Sequence, residues 1–287
     1  MKVFKVYRLL SIVLITLCLC FNFEIKAQTD YEDFTYLKQS IKERKIVPYP
    51  SLIERDAAFS RRIYRIIDTR EKINLPMKWP RNPLNRIIYE SVTSGYGTAP
   101  IPAYKSDSLS ITSTYTPEEV LGRGSKTEIL QVAVDPINFP DDLVDSTVIT
   151  PYNWRDIIKY KIVEDWIFDK QRSMFFPRII AIAPVFRKQA AGMDLGESEL
   201  FWVKWEDFRK ILVNQEIFNR HNDAMRLSYD DFFEQRMFSS YIIKEPNAFD
   251  NAIYEFEEYK LDPFGALLES ERIKSRLFEF EHTLWQY

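Results

Sequence analysis

Lys159-Tyr-Lys-Ile-Val-Glu-Asp-Trp-Ile-Phe168, Asp169-Lys-Gln-Arg-Ser173 and Arg178-Ile-Ile-Ala-Ile-Ala-Pro-Val-Phe186 decide the fold class. The outer two runs are β-branched and aromatic, a composition that suits a pleated, half-buried surface, and the five residues between them are polar. The stretch therefore predicts a β-hairpin. Elsewhere the apolar spacing is often helical, without the regular alternation of a parallel sheet. The fold class is α+β, with helices mixed among short antiparallel strands.

Working toward the N-terminus, Ser51-Leu-Ile-Glu54 fits a capping box, and Phe59, Ile63, Ile66 and Ile67 recur at helical spacing with Arg61, Arg62, Arg65 and Arg70 outside the stripe. This predicts a helix over 51–74, stopped before Pro76. Asn82-Pro83 opens a second, shorter helix with Leu84, Ile87 and Ile88 inward. Residues 98–104 read as extended and 106–116 as a Ser/Thr-rich loop; Thr116-Pro-Glu-Glu119 starts a short helix ended by Gly122 and Gly124. A strand is expected over 129–134, then a proline- and aspartate-rich surface connection over 136–150. Toward the C-terminus, 201–203 adds a strand, Trp205, Phe208, Ile211 and Leu212 are helical in period, and Ser228-Tyr-Asp-Asp231 caps a further turn. Asp262-Pro263 opens a last helix with Ile273, Leu277, Phe280 and Leu284 on one face.

The first 27 residues read as an export signal: Lys2, Lys5 and Arg8, then an apolar run over 9–23, then Ile25-Lys-Ala27 before a cleavage point between Ala27 and Gln28. The apolar run falls short of the roughly 20 residues that a spanning helix needs. Cys18 and Cys20 both lie inside it, so the exported chain carries no thiol, no disulfide and no lipidated cysteine, and is held by its core alone. The expected divisions are the signal 1–27, a polar arm 28–50, a helix-rich subregion 51–135, the connection 136–150, an α+β subregion with the hairpin 151–245, and a C-terminal helical segment 246–287. Removing the signal takes the formal charge from −3 to about −6, which argues against nucleic acid and anionic membrane as partners.

Catalytic patterns fail one by one. The two histidines, His221 and His282, have no cysteine beside them, so a zinc site is not expected. Gly196-Glu-Ser198-Glu-Leu200 puts leucine where a nucleophile elbow needs glycine. Ser94-Gly95-Tyr-Gly97 and Gly122-Arg-Gly124 lack the spacing and lysine of a phosphate loop. Asp141, Asp142 and Asp145 do not alternate around a glycine as a calcium loop requires. No catalytic, cofactor or metal residue is assigned. A sugar cleft built from aromatics and a carboxylate pair stays open as the alternative reading, a periplasmic carbohydrate-binding protein or glycoside hydrolase.

One internal echo stands out: Asp68 and Asp169 each end an apolar-aromatic run and each precede a proline by eight residues, Pro76 and Pro177. The first run reads as helix and the second as strand, which argues against a duplication.

Tyr64-Arg-Ile-Ile-Asp68-Thr-Arg-Glu-Lys-Ile-Asn74-Leu-Pro76 closely resembles the hallmark segment of the gliding motility protein N family, known as GldN or PorN, in Bacteroidetes. The family often has tryptophan at the position of Tyr64. The likeness continues in Asp165-Trp-Ile-Phe-Asp169-Lys-Gln-Arg-Ser173, in Arg178-Ile-Ile-Ala-Ile-Ala-Pro184 and in Asn222-Asp-Ala-Met-Arg-Leu-Ser-Tyr-Asp-Asp-Phe-Phe233. The resemblance implies a non-enzymatic periplasmic subunit of the type IX secretion system, which in gliding species also serves motility. It implies a large ring formed with an outer-membrane lipoprotein of the GldK or PorK type at the inner face of the outer membrane. A GldM- or PorM-type stalk from the inner membrane is the second implied partner, with no membrane insertion by the chain itself.

Interface candidates rest on the residues alone. Arg65 and Arg70 belong to a charged cluster placed on the polar side of the expected first helix, where arginines could pair with a partner's carboxylates. Phe280, Trp285 and Tyr287 put aromatics at the chain end, to dock on the core or meet a partner. The arm 28–50 could wrap a neighbouring subunit.

Overall fold

The computed structural model describes residues 41–284, except 42, 98, 124, 134–142, 151–153, 191–192, 221 and 223. The export signal with Ala27 and Gln28, most of the polar arm, His221, and the terminal Trp285 and Tyr287 lie outside the described residues.

The hairpin forms as the sequence predicts. Strand β6 (Lys159–Asp169) and β7 (Met174–Ala190) pair antiparallel around the polar turn. The other strands are β1 (Ala57–Asp68), β2 (Ala103–Tyr104), β3 (Thr114–Tyr115), β4 (Lys126–Ala133), β5 (Leu143–Thr150), β8 (Met193–Glu199), β9 (Trp202–Lys204), β10 (Glu216–Ile217), β11 (Leu227–Ser228) and β12 (Tyr241–Lys244). The helices are α1 (Leu84–Thr93), α2 (Pro117–Gly122), α3 (Trp205–Leu212), α4 (Tyr229–Glu234) and α5 (Pro263–Leu284). Eight strands make one sheet in the order β12-β1-β6-β7-β9-β2-β3, with β8 paired to β7 off that path. The class is α+β, as expected.

The segment expected as the first helix is instead β1, one strand in from the sheet edge, between β12 and β6. Its burial alternates: Ala57, Phe59, Arg61, Ile63, Arg65 and Ile67 face in, while Ala58, Ser60 and Arg62 are exposed. Two arginines occupy the inward face, so counting them as polar erases the period of two and leaves the isoleucines at an apparent helical spacing. Tertiary pairing then decides the element, because β1 matches β6 residue for residue from Phe59↔Phe168 to Asp68↔Lys159. A second departure falls in the expected connection: 136–142 lie outside the described residues, and 143–150 form β5, paired with β4 along its whole length.

Cross-strand partners point to the same face. On one face of the sheet lie Ile67 with Tyr160, Arg65 with Ile162, Ile63 with Glu164, Arg61 with Trp166, and Phe59 with Phe168. At one end of this face Ile67, Tyr160, Ile162 and Ile182 pack with α1, α3 and α4 through Ile87, Trp205, Phe208, Tyr229 and Phe233. At the other end Ile63, Ile242, Trp166 and Phe175 pack with Ile273 and Leu277 of α5. The opposite face carries a smaller cluster of Tyr64, Val163, Ala181, Ala183, Tyr104 and Trp202, with Leu109 of the Ser/Thr-rich loop against it.

The remaining helix starts form where the caps place them. Thr116 with Glu119 and Ser228 with Asp231 each make a reciprocal capping box, satisfying backbone donors that a helix end leaves unpaired. Leu84, Ile87 and Ile88 are buried on α1, as their spacing predicts.

Candidate interaction surfaces

Most ionic groups near the sheet serve the fold. Asp68 and Asp169 sit at opposite ends of the β1–β6 ladder, and each turns the chain by the same device. Asp68 Oδ1 accepts from the Arg70 backbone N–H at 2.9 Å, and Arg70 pairs with the same carboxylate at 2.5 Å. Asp169 Oδ1 accepts from the Gln171 N–H at 2.9 Å, and Arg172 reaches its other oxygen at 2.5 Å. Burial alone would raise both carboxyls, but the arginine and the turn N–H groups outweigh it and hold both below the usual carboxylate range. Both runs of the echo are therefore strands ending in an aspartate turn, and the difference of period that argued against it does not exist in the fold.

A charged seam separates the two helical layers. Glu164 is fully buried and accepts from Arg236 Nη2 at 2.9 and 3.0 Å. The Arg236 guanidinium also lies 5.7 Å from the Trp166 ring. Arg65, expected on a solvent-facing helix surface, is 6% exposed beside this pair and donates to Ser240 Oγ at 2.8 Å and Ser240 O at 3.0 Å. Its inward strand position makes it a core residue rather than one on a solvent-facing helix. Arg70 is exposed, but its fork is closed on Asp68.

The end of the polar arm docks on its own chain. Ile41 is buried, and Arg44 pairs with Asp231 and donates to the Arg226 carbonyl at 3.1 Å. Tyr49 lies between two guanidiniums, 4.2 Å from Arg209 and 5.0 Å from Arg178, with its hydroxyl on Glu234. Arg178 donates to the Pro50 carbonyl at 2.6 Å. Beneath, Arg209 makes a bidentate pair with Asp230 at 2.7 and 3.0 Å, both nearly buried. Burial and Glu234 push the Tyr49 phenol well above its ordinary pKa, so it stays neutral.

Phe280 packs inward, its ring 4.4 Å from Phe59 and 5.8 Å from Phe175, so this candidate docks on the core. The outer side of the same helix is unexpectedly apolar: Phe264, Leu267, Leu268 and Phe278 are all exposed. The sequence reading followed only the inward stripe of Ile273 and Leu277 and missed this second one, although its spacing was there to be read.

A further apolar surface surrounds the turn after β1. Asn74 is fully buried; its side-chain nitrogen donates to the Asp68 and Ser239 carbonyls at 2.8 and 2.9 Å, and its oxygen accepts from the Ser239 N–H at 2.9 Å. With Asn74 clamped inward, its neighbours Ile73 and Leu75 turn outward. Ile73 lines a cavity together with exposed Phe218, whose ring is 6.2 Å from Trp79. No sequence signal marks this site, because the partner of Asn74 lies 165 residues away.

Among the described residues no group of three or more His, Cys, Asp or Glu is placed to hold a metal ion, and no helix is long and apolar enough to cross a membrane. The chain matches the family described as Gliding motility associated protein GldN over residues 52–286. Among curated proteins none matches it. The GldN family is not a known enzyme family. The chain belongs to the GldN family, a structural component of the gliding motility and type IX secretion machinery.

Proposed function

We propose that the protein is a non-enzymatic periplasmic subunit that transmits force and holds position within the type IX secretion machinery. It associates with the inner face of the outer membrane through a lipoprotein of the GldK or PorK type, repeats within a large ring, and meets a GldM- or PorM-type stalk anchored in the inner membrane. The observation that carries this reading is the family match across residues 52–286. The side-chain chemistry is compatible with it. The buried carboxylates Glu164, Asp169 and Asp230 are each held by an arginine, an arrangement that builds a rigid body rather than a reactive centre. A clean deletion should abolish secretion of the system's cargo, and the full chain supplied in trans should restore it. Unchanged secretion in the deletion strain would overturn the proposal.

A further inference from the structure

Helix α5 carries two stripes. Ile273 and Leu277 face the chain's own core. On the outer side Phe264, Leu267, Glu271, Lys274 and Phe278 alternate at spacings of three and four, the a and d positions of a heptad. All five are exposed. Leu268, next to Leu267, widens the apolar edge. Glu271 and Lys274 sit in the middle of this stripe, more than half exposed and 3.3 Å apart, an ion pair in water that is easily exchanged for another.

The pattern is complementary to itself in one orientation. In an antiparallel helix pair each a position meets a d position of the partner helix. With a two-fold axis between residues 272 and 273, Leu267 meets Phe278 of the second copy and Glu271 meets its Lys274, and both contacts occur twice. The outermost layers set Phe264 against the methylenes of Glu281. A parallel pair would instead set Glu271 on Glu271 and Lys274 on Lys274. Sliding the antiparallel pair by one heptad sets Leu267 on Glu271, or Glu271 on Glu281. Charge therefore selects both the occupant and its register.

We propose that the outer face of α5 docks the same face of a second copy of this chain, antiparallel, with Leu267 on Phe278 and Glu271 on Lys274. Such a contact closes on two copies, so it is distinct from the head-to-tail contact that a ring requires. The few apolar side chains involved make a small interface, and the pairing is weak and concentration-dependent.

The test is sedimentation of the exported chain over a concentration series. Expected is a reversible monomer–dimer equilibrium. Glu271→Lys alone and Lys274→Glu alone should each weaken it about tenfold, and the two together should restore it to within about twofold. These side chains are exposed, so the variants should fold as the parent does. Orientation is read by mixing Leu267→Cys with Phe278→Cys under a mild oxidant: the mixed disulfide should form, and neither variant should crosslink to itself. A monomer at every concentration, a double variant that fails to restore pairing, or a disulfide joining two copies of residue 267 would each overturn the proposal. The reading as a secretion subunit fails separately, through normal secretion in the deletion strain.

Discussion

Three short helices close one end of the sheet's packed face, and one long helix closes the other; the two ends are finished differently. At the first, Trp205, Phe208, Tyr229 and Phe233 are essentially buried, with Trp205 and Phe233 edge to face at 4.9 Å, and the arm seals the Arg209–Asp230 pair from outside. At the second, α5 buries Ile273 and Leu277 but leaves Phe278 70% exposed and Phe264 68% exposed. One end is completed by its own chain. The other keeps exposed apolar side chains among the described residues, as does the turn at Ile73.

The comparison breaks first at Trp205. Trp205→Ala should cost about 3–5 kcal/mol in denaturant unfolding, because a large buried ring leaves a cavity that short helices cannot close. A loss under about 1 kcal/mol would mean that the three-helix end does not carry the fold. Leu277→Ala should cost about 2–3 kcal/mol, near the low end for a buried leucine, since a single helix at the molecular edge can settle inward.

A smaller effect separates the fold's two aspartate turns from the rest. Asp68 and Asp169 have folded pKa values below their unfolded ones, so near pH 3–4 the unfolded chain binds more protons and stability rises with pH. Their contribution is present above about pH 4 and is lost as pH falls through the folded pKa values. Chemical denaturation across pH 2–7 should show that acid limb flattened in the Asp68→Asn, Asp169→Asn double variant relative to the parent. An unchanged limb would place the acid sensitivity elsewhere.

The smallest expected change in stability sharpens the contrast most. Phe278→Ser should leave unfolding within about 0.5 kcal/mol of the parent, since Phe278 is 70% exposed. A substantial loss would show that the outer face of α5 is already used in the fold.

The sequence announces elements whose signals are local. The β6–β7 hairpin shows in its composition, α3 in the spacing of Trp205, Phe208 and Leu212, and α4 in the Ser228–Asp231 box. It misleads where long-range pairing overrides local pattern. The β1 strand hides its period because Arg61 and Arg65 point inward, with Arg61 reaching Glu245 and Arg65 reaching Ser240, neither of which is near in sequence. Asn74 reads as the last residue of the expected first helix and is in fact the clamp beside which Ile73 and Leu75 turn outward. Phe280 was a candidate for a partner because it lies near the chain end; only the position of β1 makes Phe59 available to cover it. The candidate site was least legible of all, since its walls come from the 73–76 turn and from 218–238, brought together by the sheet.

The most direct test of the central claim is affinity isolation of the tagged protein from gently solubilised cell envelopes, with mass spectrometry and electron microscopy of the eluate. The account predicts recovery in large assemblies together with an outer-membrane lipoprotein of the GldK type. A lone monomer under the same conditions would contradict it.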